Sequence, residues 1–118
     1  MPNADIKKMV NLIVDASLDE KANNIVVLDV HEQTIIADYF VIASGRNFLQ
    51  VKSIIEAIEE NLAAAGFKPI RRDGHKEGVW VILDYGSILV HVFRQEEREF
   101  YGLEELWGDA VEVLVKNN

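Results

Sequence analysis

The 118-residue chain contains no cysteine. Disulfides and thiolate metal sites are thereby excluded. No apolar run is long enough to span a bilayer, so no membrane helix is expected. No internal repeat, low-complexity tract or linker divides the chain. With 49% apolar residues, positions 1–118 are expected to fold as one domain around a real core. Positive charge is scarce. Twelve Lys and Arg face twenty Asp and Glu, for a net charge of −8, and Glu96 to Glu112 alone holds seven acids against one base, Arg98. Such a chain is not built to dock mainly on phosphate backbones, which are gripped by Lys and Arg. It suits a basic protein partner, although the same acids also keep a chain soluble. Asp5, Asp15, Asp19 and Glu20 are foreign to an acid-poor transit peptide, and a cytoplasmic location is expected.

Catalytic signatures are equally sparse. His31, His75 and His91 fit no metal-ligand spacing, so no metal site is expected. No glycine-rich loop ends in Lys-Ser/Thr, and Gly74 and Gly78 read as turn residues. There is no Gly-x-Ser-x-Gly elbow, and no carboxylate pair has a spacing that calls for acid–base work. Neither an enzyme nor a cofactor is expected.

What the chain does carry is periodicity. Ile6, Met9, Val10, Ile13 and Ala16 form a helical stripe, predicting a helix over about 4–22 with Asn3 as its cap. Residues 25–30 predict a strand. Asp38 to Ser44 is apolar on both sides, as a strand covered on both faces would be. Asn47 caps a second helix over about 48–65, whose stripe is Phe48, Val51, Ile54, Ile55, Ile58, Leu62 and Ala65, and Gly66 stops it. Residues 70–77 read as a polar connection. A charged helix is predicted over about 95–107, with Phe100, Leu103, Leu106 and Trp107 as its apolar side, and Val111, Val113 and Val115 mark a last strand. The order is α-β-β-α-β-β-α-β, implying a single α/β domain with a mixed sheet flanked by helices.

Residues 78–93 organise the rest. β-branched and aromatic residues fill two arms, and Asp84-Tyr85-Gly86-Ser87 breaks them. A two-residue turn at Tyr85-Gly86 sets Asp84 opposite Ser87, Ile82 opposite Leu89 and Trp80 opposite His91. The other side pairs Leu83 with Ile88, Val81 with Val90 and Val79 with Val92. One face is then purely aliphatic, as a core is. The other mixes indole, imidazole and carboxylate, as interaction surfaces do. Two readings of that mixed face stay open. Trp80 is either a core residue beneath a helix or an exposed anchor, and His91 either a satisfied sheet residue or a contact. Asp84 has a turn-stabilising role available to it. Tyr85 at a turn tip favours a contact role.

Several blocks now combine. Residues 37–45, reading ADYFVIASG, are followed by Gln50-Val51, by Arg72-Asp73-Gly74, by the hairpin from Trp80 to Phe93, and by residues 98–107, REFYGLEELW. In this order they closely resemble the ribosomal silencing factor family (RsfS, also called Iojap), over about Met9 to Val113. Ser87 stands where the family usually has an acid. The resemblance implies a five-stranded mixed sheet, nucleotidyltransferase-like in shape. It implies binding to ribosomal protein L-fourteen on the large subunit, which sterically blocks joining of the small subunit and represses translation under nutrient limitation. Homodimers off the ribosome are also implied. The partner surface it implies comprises Trp80, Asp84, Tyr85, Ser87 and His91, together with Arg72 and Asp73. A nucleotidyltransferase-like enzyme is the alternative by shape alone, but Ser44-Gly45 lacks a following Asp-x-Asp to hold Mg²⁺. A dimeric scaffold using the same face is a further alternative.

Overall fold

In a computed structural model, described over residues 4–116, one six-stranded sheet carries four helices. The elements are α1 (Ala4–Asp19), β1 (Asn23–Asp29), β2 (Tyr39–Gly45), α2 (Phe48–Ala64), β3 (Arg71–Asp73), β4 (Trp80–Asp84), β5 (Ile88–Arg94), α3 (Gln95–Tyr101), α4 (Leu103–Leu106) and β6 (Val111–Lys116). Strand order across the sheet is β3-β4-β5-β2-β1-β6. The β2–β5 pair is parallel and every other pair is antiparallel. The α/β mixed-sheet class holds, with one strand more than the expected five. The extra strand is β3, Arg-Arg-Asp, three exposed residues with no apolar alternation to announce it. The Asn3 cap expected for α1 lies outside the described residues.

The parallel pair at the centre explains β2. All seven of its residues are buried, because helices lie on both faces at that point. On one face α1 and α2 cover an aliphatic core that includes Ile13, Val41, Ile54, Ile58, Leu62, Val81, Val90 and Val92. Asn47 caps α2 as expected, its side chain accepting from the Gln50 amide at 2.9 Å. Phe48, assigned to the buried stripe, is exposed because it lies in the first turn, beyond the sheet's cover. α1 ends at Asp19 rather than near 22, since Lys21 turns into the left-handed region at φ 60°.

On the other face the cover is thin. Two short helices replace the one expected over 95–107. Gly102 adopts φ 54°, ψ 42°, closing α3 and opening α4. The bend rotates the apolar residues apart: Leu103 is buried and Trp107 half-buried, whereas Phe100 and Leu106 are 79% and 76% exposed. Arg98 pins α3 down. Its buried guanidinium forks onto Glu104 at 3.0 and 3.1 Å and donates to Asn23 O and Ser44 Oγ, both at 3.1 Å. This is a charge-assisted clamp between α3 and the ends of two central strands.

Candidate functional site

The hairpin of β4 and β5 turns at Gly86-Ser87, two residues that leave Tyr85 bonded to Ile88 at 2.9 Å. The expected register, with its turn at Tyr85-Gly86, is therefore wrong by two residues. Trp80 pairs with Phe93, Ile82 with His91, Leu83 with Val90 and Asp84 with Leu89. The physical reason is the turn. Gly86 takes φ 85° without strain, and the Asp84 carboxylate accepts from its amide at 2.8 Å, whereas the other register asks Tyr85 for positive φ. Because the shift is even, the sorting of faces survives it.

Tyr85 is the residue this moves most. It is not at a turn tip; it is buried on the aliphatic face, with its hydroxyl short of a protein partner and burial raising its pKa. Arg72 lies on that same side, pairing across β4 with Leu83 and reaching Glu59 of α2 at 3.2 Å. The remaining residues expected at the surface converge elsewhere. Trp80, Asp84, His91 and Asp73 share the thinly covered face, and Ser87 sits at its end, where its carbonyl accepts from Asp38 and Tyr39.

On that face the aromatic rings form a continuous series. Phe100 meets Tyr101 edge-on at 5.1 Å, Tyr101 lies 4.9 Å from Trp80, and Trp80 stacks on Phe93 at 4.8 Å. Further in, Phe40 touches His91 and Trp107 edge-on at 5.0 and 4.9 Å. The inner rings are core and the outer ones are surface. Trp80 is the hinge between them, half-buried and donating Nε1–H to His91 Nδ1 at 3.2 Å. Indole only donates, so Nδ1 is the acceptor and the proton of the neutral imidazole sits on Nε2, which is buried with no protein partner. Burial pushes His91 down to about 4, so it is neutral at ordinary pH. Trp80 thus combines its two readings, supporting the fold while its indole offers surface, whereas His91 is a buried sheet residue held by Trp80 at one ring nitrogen.

Sequence reasoning missed Phe100, Tyr101 and Leu106 as surface residues. The helical spacing of Phe100 and Leu106 was a real signal, but it reads the same whether the stripe is buried in the chain or displayed to a partner; Tyr101 lay outside that stripe. Towards β3 the open face is edged by charge, with Asp84 and Arg71 3.5 Å apart and Asp73 beside Ile82. Among the described residues no group of three or more His, Asp or Glu is placed to hold a metal ion. No helix there is long and apolar enough to cross a membrane. A cavity of about 210 Å³ opens on the far side, between α1 and β6, where the described lining residues are Lys7, Val10, Asn11, Val27, Tyr39 and Val113, with neither carboxylate nor imidazole among them. Ser44, the residue an enzyme reading would need, is buried, its hydroxyl held between Gln95 Oε1 at 2.9 Å and Arg98.

Fold and face together define a class: single-domain α/β proteins in which a mixed sheet is closed on one side and only half closed on the other. Comparison with known proteins makes this specific. The family model described as ribosomal silencing factor during starvation matches residues 3–118, and the chain belongs to that family. It is 36% identical over 107 residues to ribosomal silencing factor RsfS of Halalkalibacterium halodurans, covering 91% of this chain and 92% of that one. The Bacillus subtilis RsfS is 36% identical over 104 residues, covering 88% of each. A crystal structure from Chromobacterium violaceum superposes with a TM-score of 0.85 at 32% identity, covering 87% of this chain and 86% of its own.

Proposed function

We propose that this chain represses translation in the cytoplasm by docking its half-covered sheet face on ribosomal protein L-fourteen of the large subunit. Bound there, it sterically prevents the small subunit from joining when nutrients are limiting. No bond is made or broken, and no cofactor or metal takes part. The observation that carries the reading is the outward strip Trp80–Tyr101–Phe100, aromatic and set in a segment rich in acid, with Leu106 also exposed on α4. Large rings without a covering element are what interface cores are made of, and acids around them favour a basic protein over nucleic acid. Trp80, Asp84, Ser87, His91 and Asp73 belong to this surface or directly behind it. Arg72 and Tyr85 act from the opposite side, stiffening β3 and the hairpin. Off the ribosome, two copies pair as a homodimer through the apolar rings of this strip, against the repulsion of their acids.

The test is co-sedimentation of the purified chain with large subunits, followed by addition of small subunits. Stoichiometric binding and a reduced yield of joined ribosomes are expected. Subunits that join at the normal rate on a saturated large subunit would refute the steric mechanism.

A further inference from the structure

The connection between β1 and β2 holds two isoleucines in water on a well-tied backbone. The Val30 amide donates to Asp38 O at 2.9 Å, and the Gln33 and Thr34 amides donate to Val30 O at 3.0 and 3.1 Å. The Ile36 amide donates to Thr34 Oγ1 at 3.2 Å. The Asp38 and Tyr39 amides both donate to Ser87 O, at 2.8 and 3.1 Å, which ties the loop to the hairpin turn. Held this way, Ile35 is fully exposed and Ile36 60% exposed. Exposed Ile70 and Val111 border the same end of the sheet: Ile70 N donates to Asp84 O, and Val111 pairs with Asp29. Ile70 and Val111 lie at opposite edges of the sheet, so the feature is the isoleucine pair itself: a single surface isoleucine needs no explanation, but two adjacent ones on a fixed loop do.

We propose that Ile35 and Ile36 form a preformed apolar knob that enters an apolar socket rimmed by Lys or Arg on the docked protein. The inference rests on the docking reading above and adds a second contact region to it, joined to the first through Ser87. The surroundings choose the partner. Glu32 and Asp38 lie in this connection, Asp29 at the end of β1 is paired with His31, and there is no Lys or Arg between 29 and 38. Anionic lipid headgroups and a second acidic copy are both repelled by such a rim, whereas a basic protein surface is attracted. A backbone already fixed by hydrogen bonds loses little entropy when it docks.

The experiment compares the full chain with the Ile35→Ser/Ile36→Ser double variant in co-sedimentation with purified large subunits. The melting temperature should be unchanged, since both side chains are in water, and affinity should fall about tenfold or more. Glu32→Lys should weaken binding more at low salt than at high salt. A double variant that binds within about twofold of the parent, while Trp80→Ala loses binding, would overturn the knob and leave the docking reading standing. Failure of the parent to bind would overturn both. Vesicles of phosphatidylglycerol and phosphatidylcholine are the third arm, and binding to them that the double variant loses would show a membrane contact instead, also overturning the proposal.

Discussion

The two faces of the sheet use opposite means. One is sealed by α1 and α2, of 16 and 17 residues, over side chains that are almost all aliphatic. The other is covered in part by helices of 7 and 4 residues, and its core adds rings to aliphatic residues: Phe40 and Phe93 are buried among Val26, Leu28, Val30 and Ile42, with Trp80 and Trp107 packed half-buried against them. Aliphatic groups interdigitate densely and bury everything they have. Rings leave edges, faces and polar tips available while still filling space. The difference assigns tasks: one side holds the domain together, and the other trades cover for a surface.

If that division is right, substitutions should separate stability from binding. The largest loss of stability is expected on the sealed side. Ile58→Ala should cost about 4 kcal/mol, measured by urea denaturation, because the residue is fully buried between α2 and the sheet. Next comes a pH effect specific to the thin side. Unfolded, the His91 imidazole takes a proton near its ordinary 6.5; folded, it does so only at about 4. The unfolded state therefore binds more protons throughout that window, and stability falls as pH drops through it, by about 3 kcal/mol. Denaturation midpoints at pH 7 and pH 4 should show the loss, and His91→Leu should flatten it. Arg98→Ala should cost about 2 kcal/mol by freeing α3 from Asn23 and Ser44, with amide exchange rising first in α3 and α4. Phe100→Ala should be smallest for stability, under about 0.5 kcal/mol, because its ring is mostly in solvent. A loss on that substitution as large as at Ile58 would erase the distinction between the faces.

How much of this was legible beforehand follows the same division. Most of the sealed face could be read directly, since α2 repeats its apolar positions at helical spacing and β4 and β5 alternate; Phe48 at the start of α2 and Tyr85 beside the turn were the exceptions. That alternation tolerates a two-residue slip, so the faces were assigned correctly from an incorrect register. What failed was local. The turn depended on which residue would accept positive φ, and Gly86 did so with help from the Asp84 carboxylate. β3 is too short and too polar to announce itself. On the open side, periodicity located the apolar residues of α3 and α4 but could not say which faced inwards, because Gly102 bends the chain between Phe100 and Leu103.

The most direct measurement is the affinity of the Phe100→Ala/Leu106→Ser double variant for purified large subunits, taken beside its melting temperature. Both side chains are mostly in solvent. A surface built for docking predicts a fold as stable as the parent with binding weakened at least about tenfold. Parental binding from that variant, at an unchanged melting temperature, would mean that the open face is not where the ribosome is held.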